Sequence, residues 1–176
     1  TTHTYIFLDE AINQAAAPSG FPQTWGNDNN FPLGLIPADY EMDPEIIDDP
    51  EYAPWMREAM TSLPIVSLAM EMDDLFDEDT GIYANPEPPS NQRHLWERPG
   101  AIEFVPNDGS TGFSVEAGVR ISGNASRTPR KLPKHSFRLL FKGDYGPTRL
   151  EYPIYPDSPV SSFDTIVLRG GFNYSW

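Results

Sequence analysis

The chain has 176 residues, no cysteine and a formal net charge of −14, which excludes disulfides, thiolate metal sites and cysteine nucleophiles. Its length suits one domain with or without an extension, and no run approaches the ~20 apolar residues of a membrane-crossing helix. Nineteen prolines and 13 glycines argue against long helices and for a loop-rich, strand-leaning α+β chain.

In chain order, Thr4-Tyr5-Ile6-Phe7-Leu8 has the β-branched and aromatic character of a short strand. Residues 9–50 are rich in Pro, Asn, Gly and Asp and predict a long arm poor in regular structure. Phe21, Trp25, Phe31, Leu33, Leu35 and Ile36 make this arm too apolar for free disorder, so Phe21, Trp25 and Phe31 are expected to be buried. Asp43-Pro44-Glu45 reads as a helix start, with Asp43 as N-cap and Pro44 at the first position. Residues 51–61 give the best helix, a short one. Leu63–Met70 predicts a buried strand, followed by an acidic run from Glu71 to Asp79. Ala101–Val105 and Phe113–Val115 flank Pro106-Asn107-Asp108-Gly109-Ser110-Thr111-Gly112, whose Asn-Asp-Gly tip predicts a hairpin. Further strands are expected at Ala117–Ile121, His135–Lys142 and Thr165–Leu168. The opening Thr1-Thr2-His3-Thr4 is neither an initiator methionine nor a charged leader, and the last strand stops close to Trp176. The expectation is an excised or processed piece whose polypeptide continues, leaving the 165–169 strand short of partners.

Charge divides the chain in two. Residues 1–90 hold 18 acids and one base, Arg57; residues 91–176 hold 8 acids and 11 bases. The acidic half would repel a nucleic-acid backbone, which argues against nucleic-acid binding as the main role. Within 91–176, Arg120, Arg127, Arg130, Lys131, Lys134, Arg138 and Lys142 fall in 23 residues without an acid. Either these bases neutralise the acidic half across an interface, or they form a site for a phosphorylated small molecule. Gly118-Val119-Arg120-Ile121-Ser122-Gly123-Asn124-Ala125-Ser126-Arg127 runs from a strand into a small, glycine-containing turn, where backbone N–H groups can approach a phosphate and Arg or Lys can neutralise it.

Other motifs are weaker. Asp77-x-Asp79-x-Gly81 resembles the start of a calcium loop but lacks the glycine at the sixth position and the glutamate at the twelfth; a solvated acidic turn after a buried strand is the simpler explanation. His3, His94 and His135 are too scattered for zinc, and no nucleophile-elbow spacing supports a serine triad. Asn124-Ala125-Ser126 and Asn173-Tyr174-Ser175 match the glycosylation sequon. Trp25, Trp55, Trp96 and Trp176 would suit carbohydrate stacking, although tryptophans are more commonly buried.

Several blocks in one order resemble the CotH family, the spore-coat kinase-like proteins, in the form common in large secreted bacterial proteins. They are Gly81-Ile82-Tyr83-Ala84-Asn85-Pro86, Trp96-Glu97-Arg98-Pro99, Ala117 to Arg127, Lys134-His135-Ser136-Phe137-Arg138-Leu139, Tyr145-Gly146, Tyr152-Pro153, Phe163-Asp164 and Leu168-Arg169, with Asn173 and Trp176. Residues 5–80 resemble the same subgroup's lead-in through Tyr40-x-Met42-Asp43-Pro44 and Asp73-Asp74-Leu75-Phe76. The resemblance implies an atypical protein-kinase-like fold, ATP and magnesium, and phosphoryl transfer to protein. Residues 1–62 would be an extended Pro/Asn/Gly-rich arm with a strand and short helices, and 63–176 a β-rich N-lobe truncated at its C-terminus. Arg120, Arg127, Lys134 and Arg138 would lie near the nucleotide phosphates, with Lys134 the first choice for the phosphate-binding lysine. Ser122 stands where members often have a basic residue or histidine. The family's magnesium-binding and catalytic aspartates would lie beyond this chain, so no catalytic residue is expected in it. The resemblance also implies an extracellular or cell-surface location, with the rest of the parent protein or other surface proteins as partners. A non-catalytic structural or adhesion module is the alternative.

Overall fold

The computed structural model describes residues 3–27 and 35–171. Phe31, Leu33, Asn173 and Trp176, which the sequence singles out, lie outside the described residues.

The chain begins with helix α1 (Leu8–Ile12), a two-stranded ribbon of β1 (Thr24–Asn27) and β2 (Leu35–Pro37), helix α2 (Pro44–Ile47) and helix α3 (Met56–Ser62). Strand β3 (Ile65–Ala69) leads into helix α4 (Met72–Phe76), and then come β4 (Arg98–Val105), β5 (Phe113–Ser122), β6 (Ser136–Leu140), β7 (Leu150–Glu151), β8 (Ser162–Phe163) and β9 (Thr165–Leu168). Five strands form one antiparallel sheet in the order β3-β4-β5-β6-β9, and β7 pairs with β8 separately. The fold is therefore α+β and strand-rich.

The β4–β5 hairpin forms as its turn chemistry requires. Gly109 takes φ +77° at the tip, a region open to glycine at little steric cost, and Ile102 pairs with Val115 and Phe104 with Phe113. Residues 117–121 continue β5 rather than forming a new strand. Alternation then sorts the faces: Ile102, Ala117, Val119, Ile121 and Leu139 are buried on one side, leaving Glu116, Gly118, Arg120 and Arg138 on the other. The apolar side is closed by the N-terminal arm and the 75–83 segment. Trp25, only 4% exposed, meets Tyr40 and Tyr83 edge-on with ring centroids 5.2 and 5.6 Å apart, and Phe76 packs on Tyr83 at 5.5 Å. Such aromatic pairs add about 0.5–1.5 kcal/mol beyond the area they bury.

Several local expectations are corrected. Residues 4–7 form no strand, and Leu8 opens a helix. Thr4 is attached to the sheet by its N–H to Glu103 Oε2 and its hydroxyl to Ser67 Oγ, both at 2.7 Å, while Tyr5 and Phe7 stay exposed. With no apolar face to bury, this segment gains nothing from a ladder, and Asp9 and Glu10 suit a helix first turn. Phe21, expected to be buried, is half exposed and touches Tyr40 by its edge. Strand β3 is an outer strand beginning only at Ile65, so Val66 on it is exposed rather than buried, as is Leu63 at the end of α3. Part of the acidic run is helical: Asp73 and Asp74 occupy the first turn of α4. As expected, Asp43 caps α2, its side chain accepting from Glu45 N–H.

Candidate anion-binding site

Register places Arg120 on β5 directly opposite Arg138 on β6. Like charges in this position repel, and a buried carboxylate beside them offsets part of the repulsion. Glu97, at the head of β4 with its side chain 7% exposed, lies 3.4 Å from Arg120 Nε and accepts from Lys142 Nζ at 2.8 and 3.0 Å. Gly118 makes room for it: a Cβ there would come within 2.6 Å of Glu97 Oε1 and of the Tyr145 ring.

Beyond Ser122 the chain reverses at Gly123, whose φ of +120° and proximity to Ser126 Oγ leave no room for a side chain. A 3-10 turn at Ala125–Arg127 follows. It folds Arg127 back under the turn, where Nε donates to Gly123 O at 2.9 Å, one terminal nitrogen to Pro86 O at 2.8 Å and the other to Ile121 O. Arg127 is 7% exposed. Burial, and then the charges of Arg93, Arg120 and Arg138, pull its pKa down to about 10. Arg93 arrives from a separate 3-10 turn, Arg93–Leu95. Its terminal nitrogens both lie 3.4 Å from Asn124 Oδ1, and its buried Nε has no partner. Arg93, Arg120, Arg127 and Arg138 together with Ser122 and Gly123 line a cleft of about 190 Å³.

The loop between β5 and β6 is held at its far end too. Tyr83 Oη donates to Pro133 O at 2.7 Å and accepts from His135 N–H at 3.2 Å, and burial raises its pKa to about 12. His135 Nδ1 lies 3.2 Å from Ser126 O. Burial pushes this imidazole down to about 4, so it is neutral at pH 7 and donates to that carbonyl. Guanidinium groups gathered on a pre-shaped loop with a single shared buried carboxylate are suited to binding a small oxyanion.

Three of the four expected phosphate-site residues, Arg120, Arg127 and Arg138, thus share one cleft. Lys134 does not join them. Its Nζ sits 3.3 Å from Asp39 Oδ2 and donates to Glu41 O at 3.2 Å, tying the loop to the arm. It borders a separate hollow of about 370 Å³ walled by Trp25, Tyr40, Phe76, Tyr83 and Phe137. Sequence reasoning missed Arg93, which stands in an aperiodic Asn-Gln-Arg-His stretch. It also gave Glu97 no role, although Trp96-Glu97-Arg98-Pro99 is one of the resembling blocks.

A separate, wider hollow of about 460 Å³ is lined by Ala69, Glu71, Pro99, Ala101, Glu116 and Tyr145 among others. Burial, followed by the Glu97 charge, raises the Tyr145 pKa. The weaker candidates are placed as follows. Asp77 Oδ1 accepts from Asp79 N–H, Thr80 N–H and Thr80 Oγ1, contacts that hold its carboxyl below the usual range; Asp79 is exposed. Among the described residues, no three His, Cys, Asp or Glu side chains converge as a metal-ligand group, and no helix is long and apolar enough to cross a membrane. Asn124 is exposed at the rim of the arginine cleft, Trp55 is exposed, and Trp96 packs under the Arg98 guanidinium at 6.0 Å. Comparison with known protein families, with curated proteins and with solved structures gives no match.

Proposed function

We propose that the chain is the N-terminal part of a CotH-like atypical protein kinase, in which one face of the five-stranded sheet receives the phosphates of ATP. The observation that carries this is the gathering of Arg93, Arg120, Arg127 and Arg138 around one small cleft beside a glycine turn. The pairing of buried Glu97 with the partly exposed Lys142 adds support, since kinase-type N-lobes hold a phosphate-binding lysine against a glutamate. On this reading Lys142, rather than Lys134, would be the lysine that serves the phosphates. The arginine cleft fits the phosphate part of ATP, which when bound supplies the transferable phosphoryl group. Magnesium, the other implied cofactor, has no ligand group among the described residues, and no step here is assigned to it. Arg120 and Arg138 would bind anionic oxygens, Arg127 would keep the loop in shape, and Glu97 would hold Arg120 and Lys142 in place.

The second role is a non-catalytic structural or adhesion module of a secreted or cell-surface assembly, docked to the rest of the parent protein or to other surface proteins. Exposed Val66 on the outer strand β3, with exposed Leu63 just before it and Val105 at the end of the adjacent β4, favours it, because an open edge with apolar side chains is suited to pairing. Incubating the full-length protein with γ-labelled ATP and magnesium separates the two roles. Label on protein, lost in Arg120→Gln, supports the kinase. A folded protein that transfers none, and binds no ATP, points to the module.

A further inference from the structure

We infer that the arginine cleft is a receptor for a single phosphoryl group in which Arg93 binds the anion directly, while Arg127, the most buried of the four arginines, holds the loop and does not bind it. The anion site needs no nucleotide; only the choice of phosphate as its natural anion rests on the proposed kinase role.

Donor inventory separates the two arginines. A guanidinium has five N–H donors and no acceptor. Arg127 uses three of these five, one on each nitrogen, on the carbonyls of Gly123, Pro86 and Ile121. Those carbonyls belong to the loop entry, the strand beneath it and the 81–86 segment, so the side chain ties three pieces of backbone together. Arg93 has no comparable engagement. Its two long contacts converge on one amide oxygen, and its Nε is buried and unpartnered. A buried donor left unsatisfied is costly, and a strong acceptor that reorients this side chain removes the cost.

Charge points the same way. Among the described residues, neither Arg93 nor Arg138 has a carboxylate within ion-pair distance, and Arg120 shares Glu97 with Lys142. Glu87, the other acid nearby, accepts from Thr128 instead. The guanidinium groups therefore repel one another, and after burial, which acts first, the charges of Arg93, Arg120 and Arg138 also lower the Arg127 pKa. A dianion placed among Arg93, Arg120 and Arg138 relieves that repulsion, and planar guanidinium forks match tetrahedral oxyanions in a way lysines do not.

Size sets the class of ligand. About 190 Å³ equals roughly six water volumes at ~30 Å³ each, and pockets that enclose whole drug-sized ligands run from about 300 Å³. One phosphoryl group with attendant waters enters, and whatever carries it stays outside.

The test titrates inorganic phosphate, ATP without metal, and chloride into the full chain by calorimetry at fixed ionic strength, and follows melting with and without phosphate. Phosphate is expected to bind, to exceed chloride and to raise the melting temperature. Arg93→Gln is expected to weaken phosphate binding at least tenfold and to erase the preference over chloride, with the phosphate-free melting temperature unchanged or higher. Arg127→Lys, which keeps the charge but cannot span three carbonyls, is expected to lower the phosphate-free melting temperature while keeping the phosphate-over-chloride preference. Arg127→Gln checks that the drop follows the lost carbonyl contacts. Unchanged phosphate affinity in Arg93→Gln, or no phosphate binding by the unaltered chain, overturns the inference. So does an Arg127→Lys chain that melts normally but loses the phosphate preference. Phosphate binding with no gain for ATP leaves the inference standing and counts against the kinase role; ATP binding indifferent to Arg93→Gln does the reverse.

Discussion

Replacing Glu97 by glutamine should destabilise the sheet by about 3 kcal/mol. The substitution keeps shape and removes charge at a carboxylate that is 7% exposed and contacts Lys142 at 2.8 Å and Arg120 at 3.4 Å. Breaking a buried ion pair from one side costs about 3–5 kcal/mol, because the partner charge is left uncompensated. Lys142, at 42% exposure, can turn to water and trims that figure, whereas Arg120, at 19%, stays opposite Arg138 with nothing to offset the repulsion. For a chain of this size, each kcal/mol moves the melting temperature by about 2–4 °C, so a fall of roughly 6–12 °C is expected. Thermal and urea melts of Glu97→Gln, Lys142→Met and the double variant form a cycle whose coupling term should be about 1–3 kcal/mol. Additive effects, or a Glu97→Gln chain within about 0.5 kcal/mol of the original, would refute the placement of this carboxylate as the sheet's internal counter-charge.

Other consequences are equally measurable. His135 is held near pKa 4 by burial against about 6.5 unfolded. The unfolded chain therefore takes the proton first, and stability should be lost as pH falls from about 6.5 to about 4, by up to roughly 3 kcal/mol at 1.36 kcal/mol per pH unit. Urea melts across that range should show it, and His135→Gln should flatten that limb. Gly123→Ala puts a Cβ at φ +120° against Ser126 Oγ and should cost about 1–3 kcal/mol while weakening phosphate binding, both readable by melting and calorimetry. Lys134 and Asp39 are about half exposed, so Lys134→Met should cost less than about 1 kcal/mol and leave phosphate affinity unchanged in the same titration.

What the sequence disclosed followed from local chemistry. Asn107-Asp108-Gly109 announces the β4–β5 tip because only a few residues turn a hairpin this way, and alternating Val119 and Ile121 against Arg120 fixes which side chains face the core. The acid-free run from Arg120 to Lys142 marks Arg120, Arg127 and Arg138 for the same reason: bases without local acids need either distant partners or an anion. What stayed hidden depends on residues far apart in sequence. Lys134 is drawn to Asp39 and the carbonyl of Glu41 across the arm, a contact that no local pattern encodes. Arg93 reaches the cleft because its 3-10 turn docks beside Asn124. Thr4–Leu8 has strand-forming residues, yet bonds from the Thr4 N–H to the Glu103 carboxylate and from the Thr4 hydroxyl to Ser67 take the place of backbone pairing. Propensity describes one residue's preference; these placements are decided by a partner.

The most direct measurement is calorimetric titration of ATP into the full-length protein and its Arg138→Gln variant at matched ionic strength. A charge-assisted hydrogen bond contributes about 1.5–3 kcal/mol, so the variant should bind ATP at least tenfold more weakly while melting normally, since Arg138 is exposed and, among the described residues, has no acid within ion-pair distance. Equal ATP affinity in the two proteins, or no ATP binding by a folded unaltered protein, would contradict a nucleotide-phosphate site on this face of the sheet.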